Sequence, residues 1–449
     1  MEQVRSTNLS DYKEALFYCL QCGLCQGDCP SFRALRKSTA TARGHVNLLM
    51  DILEGNQELS PRVAELLEEC LVCGGCTNVC PSGIKGDDIT VMARKLAMDR
   101  YGLPWKKRAA LWALGNLRRT GALLRLASPF KALAFKHLGD ANQSVSPRSF
   151  LQSVVPYHAI PDFGGPCFID RYAGRHQPSG KRRGSLAYFV GCLTNLVYQR
   201  VGEQVVKTLV DLGYEVWVPA DQGCCGLPAL VSGDLEAARG QYLSNLRALT
   251  AVSVDGIITD CTSCWHMLHE KGPWLLEGQE GQASVGSAFQ ARAVSPKAGN
   301  GEGPGWLGPK VWEIMNFLEE TGNWDRLEAR SHGRTPLKLS YHVPCHAKGS
   351  TGVKEAPREF FKRKEGFEYR ELDMAEKCCG SGGSFAFFHY DIADRIRQEK
   401  MEDIRETGPE VVVSGCPACR MQLADGLAKE NLPVRMAHPL ELLEVKPEA

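Results

Sequence analysis

Two runs of cysteine near the N-terminus constrain the fold of this 449-residue chain more than any other feature. The runs share one spacing: Cys19-x2-Cys22-x2-Cys25-x3-Cys29-Pro30, and then Cys70-x2-Cys73-x2-Cys76-x3-Cys80-Pro81. Three thiolates at this spacing can cover one face of an iron–sulfur cube, and the fourth, which precedes proline, ligates the other cube. The runs therefore predict two [4Fe–4S] clusters.

The predicted ligand sets are crossed, because the fourth cysteine of each run serves the partner cluster. One cluster takes Cys19, Cys22, Cys25 and Cys80. The other cluster takes Cys70, Cys73, Cys76 and Cys29. Zinc also binds Cys-x2-Cys pairs, but a four-cysteine run with a terminal proline, present twice, favours iron–sulfur clusters. A disulfide framework fits such tight spacing still less well.

The sequence around the two runs predicts helices rather than the short strands of a small ferredoxin. Ser10 can cap a short first helix, and His45 to Leu53 forms a helical run. Ser60 and Pro61 are an N-cap and first-turn pair that opens a helix leading to the second run. Residues 1–100 are therefore predicted to be an α-helical ferredoxin domain with two [4Fe–4S] motifs.

Composition narrows the class of protein and its compartment. The net charge is +1, which gives no general case for binding nucleic acid. Eighteen of the nineteen cysteines are grouped, and thiols grouped in this way need a reducing compartment to stay free for iron. The N-terminus is polar and no apolar run approaches the ~20 residues of a membrane span. The expected location is the cytoplasm, with peripheral contact to the inner face of the membrane as an additional expectation.

Residues 101–184 are predicted to be a basic amphipathic helical segment followed by a linker. Residues 101–139 contain eight Lys or Arg and no Asp or Glu, interleaved with residues such as Trp105 and Trp112. This pattern is typical of a helical pair that contacts a membrane surface or a partner. A connector packed on its own domain is the favoured alternative, since apolar stripes are usually core. Cys167 lies in the linker and is interpreted as incidental.

Beyond residue 184 the pattern changes to alternating strands and helices, and it occurs twice. We predict a first cysteine-rich α/β domain over 185–275, a linker and helix over 276–335, and a second cysteine-rich domain over 336–449. The first cysteines of the two units are 345 − 192 = 153 residues apart. Between the units, residues 277–305 are low in complexity and are expected to form a mobile surface loop. The fold class is thus α+β multidomain.

Each repeated unit places five cysteines after predicted strands. The first unit has Cys192, Cys224, Cys225, Cys261 and Cys264, and the second has Cys345, Cys378, Cys379, Cys416 and Cys419. Ligands of open α/β sheets sit at the carboxyl ends of the strands, so we expect one crevice of five thiols per unit. A cube needs four thiolates, and the fifth indicates an unusual cluster or a labile catalytic thiol. A zinc site, or a thiol site without metal in one unit, is the alternative.

No glycine-rich fingerprint of a dinucleotide site follows a strand in the required context. Gly380-Ser381-Gly382-Gly383 comes directly after a cysteine pair and is better interpreted as a cluster loop. A flavin would therefore be bound by another chain. His342, His346, His266 and His269 flank the cysteines and either donate hydrogen bonds to sulfur, relay protons or serve structural roles.

The double cysteine run, followed by two Cys…Cys-Cys-Gly…Cys-x2-Cys units, resembles the iron–sulfur subunit of glycolate oxidase. It is also similar to the catalytic subunits of heterodisulfide reductases and to the iron–sulfur subunit of anaerobic glycerol-3-phosphate dehydrogenase. The stretch from Arg43-Gly44-His45 through Cys70-Leu71-Val72-Cys73 to Cys80-Pro81-Ser82-Gly83 matches the glycolate oxidase subunit in particular.

The resemblance implies a metal-binding oxidoreductase subunit for electron transport. It would work with a separate FAD-binding dehydrogenase subunit that oxidises glycolate or lactate, and would pass electrons to a quinone or another acceptor. Heterodisulfide reductases carry non-cubane clusters at such five-cysteine sites, so reduction of a disulfide at the second unit is the alternative function. Its catalytic thiols would be Cys345, Cys378, Cys379, Cys416 and Cys419. A zinc-bearing scaffold without a redox role is a further hypothesis.

Overall fold

The computed structural model describes residues 13–152, 154–277, 311–330 and 335–446. Almost all of the predicted loop at 277–305, and the predicted cap at Ser10, lie outside these ranges. Within them the chain forms a helical domain followed by two α/β units, which is the α+β class that the sequence predicted. One continuous apolar core draws on all three parts, for example through Leu67, Leu186 and Val412.

The N-terminal domain is built from helices of 4 to 16 residues. The helices are Lys13–Phe17, Leu24–Asp28, Pro30–Leu35, Ala42–Leu53, Pro61–Glu68, Gly75–Asn78 and Gly86–Tyr101. The predicted cap at Ser60 is confirmed, because its Oγ accepts a hydrogen bond from Val63 N at 3.3 Å. Thr41 caps the preceding helix, Ala42–Leu53, in the same way. That helix therefore starts three residues before His45, where the sequence predicted its start.

Arg94, on the helix Gly86–Tyr101, fixes the helical domain to the first α/β unit. Its buried guanidinium donates to the carbonyl oxygens of Leu67 at 2.9 Å, Cys70 at 2.5 Å and Val231 at 2.6 Å. Charged donors strengthen such bonds, and an unpartnered buried guanidinium would be costly. The carbonyl of the cluster cysteine Cys70 is thus held in place by the same group that joins the two domains.

The basic segment forms the predicted helical pair, Trp105–Gly115 and Leu117–Ala127. It leaves large apolar side chains in solvent: Trp105 is 70% exposed and Leu126 is 74% exposed. The segment is also anchored on the helical domain, because the ammonium of Lys107 bonds the Glu68 carboxylate.

The linker predicted to follow the basic segment, as far as residue 184, contains regular structure. A three-stranded antiparallel sheet joins Phe135–His137, Ser144–Pro147 and Ile160–Pro161. A helix, Phe168–Tyr172, and a strand, Gly174–His176, follow. Tertiary hydrogen bonds override the turn-rich composition here, since Asn142 Oδ1 accepts from Met436 N at 2.7 Å and Asp425 Oδ1 accepts from Ala159 N at 2.7 Å.

The first α/β unit has a five-stranded sheet, parallel except for its first edge strand. The strand order is Gly174–His176, Tyr214–Val218, Gly184–Phe189, Gly256–Thr259 and Val311–Glu313. Its helices are Cys192–Leu196, Gln199–Asp211, Leu227–Val231, Leu235–Leu249, Thr262–His266 and Gly272–Glu277, with a π-helical stretch at Met267–Lys271. The strand Val311–Glu313 and the helix Ile314–Glu320 that follows it lie in the predicted 276–335 segment.

The second unit repeats this plan with a four-stranded parallel sheet. The strand order is Phe367–Tyr369, Leu337–Tyr341, Val411–Val413 and Arg435–Ala437. Its helices are Thr351–Arg363, Phe385–Phe388, Tyr390–Thr407 and Pro417–Lys429. A separate antiparallel pair joins Leu327–Ala329 to Leu443–Val445.

Among the helices of the described ranges, none is both long and apolar enough to cross a bilayer.

Candidate iron–sulfur sites

Four thiols of one predicted crossed set surround a common cavity in the helical domain. Cys29, Cys70, Cys73 and Cys76 line this cavity and interact electrostatically with one another. Cys29 reaches it because it is the N-cap of the helix Pro30–Leu35, where its Sγ accepts from Phe32 N at 3.4 Å. The fourth cysteine of the first run therefore lies beside the three x2-spaced cysteines of the second run.

The other predicted set is less enclosed. Cys25 interacts with Cys19 and Cys22, and Cys22 is exposed. Cys80 is half-buried, and its Sγ accepts from Ile84 N at 3.4 Å. The assignment of Cys80 as the fourth ligand of this cluster stays a prediction.

A glycine brings the helix Gly86–Tyr101 close to the enclosed thiol set. A Cβ at Gly86 would lie 2.8 Å from the Sγ of Cys76 and 2.9 Å from the Cβ of Ala42. Both distances are shorter than a van der Waals contact, so residue 86 has no room for a side chain.

The five cysteines of the first unit form one connected group of thiols. The thiols are linked by hydrogen bonds in the order Cys192, Cys224, Cys225, Cys264 and Cys261. The pairs come together because each cysteine follows the carboxyl end of a strand in the same parallel sheet.

The second unit has the same connected group. Its thiols are linked by hydrogen bonds in the order Cys345, Cys378, Cys379, Cys419 and Cys416. The buried ring of His342 adds a nitrogen donor, and ligand atoms of His342, Cys379 and Cys419 lie within 4.8 Å of one another.

The two thiol groups also meet each other, which the expectation of one crevice per unit did not include. Cys261 of the first unit hydrogen-bonds Cys416 of the second. The backbone supports this contact: Thr262 N donates to Gly415 O at 3.0 Å, and the Ser263 hydroxyl lies 3.5 Å from Cys416 Sγ. The two units face each other through their Cys-x2-Cys turns, an arrangement that periodicity within either unit does not reveal.

The array also continues into the helical domain. Cys73 of the enclosed cluster set hydrogen-bonds Cys345 of the second unit. Eleven thiols thus form a single chain of contacts that starts at Cys73, passes through the second unit and ends at Cys192 in the first unit. Asp28 of the helical domain also forms ion pairs with Lys377 at 2.8 Å and Lys348 at 3.7 Å, both in the second unit. The contact between Cys73 and Cys345 is therefore part of a packed interface between these two domains.

Burial and neighbouring thiols set the protonation of the sulfur atoms. Burial raises the pKa of the Cys29 thiol to about 12. Hydrogen bonds from Cys224 and Cys264 lower the pKa of Cys225 to about 5. Hydrogen bonds from Cys378, Cys419 and His342 likewise hold the pKa of Cys379 well below its usual range. Each unit therefore favours a thiolate at the second cysteine of its Cys-Cys-Gly turn.

The donor set fits a thiophilic metal group. All nineteen cysteines are free, and eight of the ten cysteines in the repeated units are buried, most of them within the apolar core. Sulfur-rich, water-poor sites of this kind suit iron–sulfur clusters, and thiolate ligands with one histidine also suit zinc. Residues that would hold a group are the eight cysteines of the two runs and the ten cysteines of the repeated units.

The histidines near the cysteines have distinct surroundings. His342 is fully buried against Cys379. His346 Nδ1 lies 2.9 Å from Ser263 Oγ, and its ring stacks on His266 with centroids 4.6 Å apart. His269 stacks on Trp265. His342 thus contacts sulfur directly and His346 reaches it through a hydroxyl group.

Cys167 takes no part in these sites. It is buried in a small apolar cluster, where its Sγ fills the space beside Gly121. The interpretation of this cysteine as incidental to metal binding agrees with that position.

Two lysines beside the second site, the buried Lys400 and the partly buried Lys348, were not found by sequence reasoning. Lys348 interacts with Cys345, and Lys400 interacts with Cys378 and Cys379. Lys400 lies 22 residues after Cys378 on a charged helix, so no local motif marks it. Only an alignment of the two repeated units position by position would have singled out these lysines.

Two family models match the chain in the order that the structure displays. A 4Fe-4S dicluster domain matches residues 15–84. A cysteine-rich domain matches twice, at residues 186–269 and 339–424. The matched ranges contain both cysteine runs and both thiol groups of the array.

Curated relatives align with half or more of this chain at modest identity. The probable glycolate oxidase iron-sulfur subunit of Bacillus subtilis (strain 168) is 25% identical over 95% of this chain and 93% of its own length. A subunit of the fumarate reductase (CoM/CoB) of Methanothermobacter marburgensis is 26% identical over 99% of this chain and 75% of its own length. Lactate utilization protein A of Oceanobacillus iheyensis is 29% identical over 58% of this chain and 96% of its own length. The chain is therefore a relative of the glycolate oxidase iron–sulfur subunit in which a 4Fe-4S dicluster domain precedes two cysteine-rich domains.

Proposed function

We propose that this chain is the iron–sulfur electron-transfer subunit of a flavin-dependent 2-hydroxy-acid dehydrogenase acting on glycolate or lactate. The names of two relatives, a glycolate oxidase subunit and a lactate utilization protein, support this substrate class. The flavin would sit on a partner subunit, which would oxidise the substrate and deliver electrons one at a time. A quinone or another acceptor would receive them.

The observation that carries the proposal is the continuous array of thiols. Bound clusters would accept and release single electrons, and neighbouring clusters would be separated only by ligands in contact. Cys73, a predicted ligand of the enclosed cube, is hydrogen-bonded to Cys345 of the second unit. Cys261 of the first unit touches Cys416 of the second. Electrons that enter through the dicluster domain would therefore reach the second unit before the first.

Counting iron tests whether the array is loaded. The intact chain, reconstituted anaerobically, should carry ~16 Fe at four irons per cluster, against ~8 if only the two ferredoxin-type runs are occupied. Changing Cys378 and Cys379 together to Ser should remove the iron of the second unit, and changing Cys224 and Cys225 together should remove that of the first. A wild-type count near 8 that neither double variant lowers would contradict the proposal, and zinc in the units would support the scaffold hypothesis.

Reduction of a disulfide at the paired units is the second candidate. The contact between Cys261 and Cys416 favours it, because a substrate disulfide bound there would face both five-cysteine groups. The fumarate reductase (CoM/CoB) relative matches nearly the whole of this chain. Anaerobic assays of the reduced protein with glycolate, lactate and a panel of small disulfides would separate the two functions. Thiol release without any partner flavoprotein would favour the disulfide reductase.

Peripheral contact with a membrane is the further part of the proposal. The segment 101–139 lacks carboxylates and exposes Trp105, Leu126 and Phe130 among basic side chains, which complements an anionic lipid surface. Binding to vesicles with anionic lipid should weaken as salt rises, at about 1 kcal/mol per Lys or Arg near the surface. Equal binding to neutral vesicles, or none to either, would leave the segment as a connector.

A further inference from the structure

We propose that the second cysteine-rich unit holds the cluster of higher reduction potential, because buried positive charge surrounds its thiols while equivalent positions in the first unit are neutral or acidic. This inference rests on the proposed function in one respect: both units must bind iron–sulfur clusters. It adds a direction to the array, since the unit nearest the dicluster domain becomes the place where electrons collect.

Equivalent positions in the two units are fixed by shared contacts. A Cβ at Gly226 would meet the carbonyl of Ala238, and a Cβ at Gly380 would meet the carbonyl of Ala393. The helices that pack on the two Cys-Cys-Gly turns are thus related by 393 − 238 = 155 residues. The Cys-x2-Cys turns have the same offset, 416 − 261 = 155, whereas the first cysteines differ by 153.

The helix position provides the clearest difference. Lys400 of the second unit corresponds to Asn245 of the first. Lys400 is 1% exposed, its ammonium donates to the Met374 carbonyl, and it interacts with the thiols of the Cys-Cys-Gly turn. Asn245 is equally buried, but its neutral amide bonds only backbone: it donates to Cys224 O at 2.8 Å and accepts from Gly223 N at 2.7 Å.

The Cys-x2-Cys turns of the two units also differ, because an acidic residue precedes the turn in the first unit only. Asp260, directly before Cys261, corresponds to Gly415 in the second unit. Asp260 is fully buried and accepts hydrogen bonds from Tyr188 Oη at 2.7 Å and Thr194 Oγ1 at 2.6 Å. Burial raises the pKa of the Asp260 carboxyl, whereas its two hydroxyl donors stabilise the ionised form. The first site therefore has a carboxyl group directly before its Cys-x2-Cys turn, where the second site has glycine.

The turn after the first strand of each unit adds two more differences. His342, whose ring hydrogen-bonds Cys379, corresponds to Phe189, and Lys348 corresponds to Asn195. Lys348 interacts with Cys345, whereas the side chain of Asn195 accepts from the backbone of a neighbouring helix. Burial lowers the pKa of His342, so its ring contributes a hydrogen bond to sulfur rather than a positive charge. In the other three pairs the second unit is the more positive.

Countercharges reduce this difference without removing it. Asp403 lies 3.8 Å from the Lys400 ammonium, and Asp28 lies 3.7 Å from that of Lys348. Asp28 is shared with Lys377, so three ammonium groups face two carboxylates around the second site. Asp260 of the first unit interacts with one cation, Arg420, which belongs to the second unit and is paired with Glu441 at 3.4 Å.

The sign of the effect follows from the charge of a cluster. Reduction adds one electron, supplied by the partner flavin in the proposed complex or by dithionite in a test, and makes the cluster more negative. A nearby cation stabilises this reduced state and a nearby carboxylate destabilises it, most strongly where water is excluded. Local charge and hydrogen bonds to sulfur are among the factors that set cluster potentials. Lys400 and Asp260 thus influence the reduction potentials of the clusters without ligating them.

Redox titration of the full reconstituted chain, followed by electron paramagnetic resonance, tests the inference. The signal of the second unit is the one lost when Cys378 and Cys379 are changed to Ser, and that of the first is lost with Cys224 and Cys225. We expect the second unit to be reduced at the higher potential. Lys400→Met should shift its midpoint to a more negative value, and Lys400→Arg, which keeps the charge, should leave it close to wild type.

Asp260→Asn provides an independent arm, because it keeps the shape of the side chain and removes the acidic group. It should move the midpoint of the first unit to a more positive value and narrow the gap between the sites. An iron count near 8 would overturn the proposed clusters and this inference together. A count near 16 with equal midpoints, with the first unit higher, or with no shift in either variant would overturn the inference alone.

Discussion

Replacing Cys29 by serine tests crossed ligation on the side of the domain where the structure encloses the thiols. Cys29 belongs to the first run in sequence but lies with Cys70, Cys73 and Cys76 in space. We expect Cys29→Ser to damage the cube of the second run and to leave the cube of the first run intact. Serine lacks the soft thiolate that iron prefers, so the change removes a ligand with little change in size.

Cys29→Ser should change the iron content of the protein much more than its stability. Loss of one cube lowers the iron content by ~4 Fe per chain. The helix Pro30–Leu35 should still start correctly, because serine is a good N-cap and can accept the bond from Phe32 N that Cys29 now accepts. Cys29→Ala would remove that cap as well, at a cost of about 1 kcal/mol. The serine variant therefore reports ligation with the fold preserved.

The assay is an iron and sulfide count combined with electron paramagnetic resonance of the dithionite-reduced protein. Cys167→Ser is the matched control, because Cys167 is a buried thiol outside the clusters and should keep the full count. Cys80→Ser is the reciprocal variant and should remove the signal of the other cube. If Cys29→Ser eliminated the signal assigned to Cys19, Cys22 and Cys25, each run would ligate its own cube and crossed ligation would be refuted.

Three further outcomes follow from the same structure. Gly86→Ala should displace Cys76 and lower the iron content of the enclosed cube, measured by the same count, because a Cβ there would lie 2.8 Å from the sulfur. Lys271→Met should destabilise the protein by about 3 to 5 kcal/mol, measured as a fall in unfolding temperature, since it leaves the buried Asp87 and Asp88 without their cation. Cluster assembly should become faster from pH 7 to pH 9, because burial raises the pKa of the enclosed thiols and iron binds the deprotonated form.

Matched variants separate these effects from general damage. Gly27→Ala lies in the same domain with open space around its Cβ and should keep its iron. Lys207→Met breaks an exposed pair with Asp211, so it should cost less than about 1 kcal/mol. A Gly86→Ala protein with full iron, a Lys271→Met protein as stable as Lys207→Met, or assembly that slows as pH rises would each contradict the corresponding prediction.

The order of domains could be predicted because spacing and periodicity are local properties. Cysteine spacing marked the dicluster domain, and alternating apolar strands with helices marked two α/β units. The helix predicted to open at Ser60 and Pro61 is observed as Pro61–Glu68. The helix predicted from His45 begins at Ala42, because the side chain of Thr41 caps it.

The relation between the domains could not be predicted, because no pattern within one segment determines how units pack. The contact between Cys261 and Cys416 depends on two Cys-x2-Cys turns, 155 residues apart, that meet at one interface. The strand Gly174–His176 was missed for a similar reason: it pairs antiparallel with Tyr214–Val218 at the edge of the sheet, although its own sequence is typical of a linker.

The packing also changes the meaning of the fifth cysteine in each unit. Taken alone, five thiols exceed the four ligands of a cube and indicate either an unusual cluster or a free catalytic thiol. In the structure three of the four thiols at the ends of the two groups have a thiol partner in another domain: Cys345 is hydrogen-bonded to Cys73, and Cys416 is hydrogen-bonded to Cys261. A thiol at such a junction can ligate one group while touching the ligands of the next, which shortens the step that an electron must take between them. Thiols of different domains therefore meet at two junctions, Cys73 with Cys345 and Cys416 with Cys261.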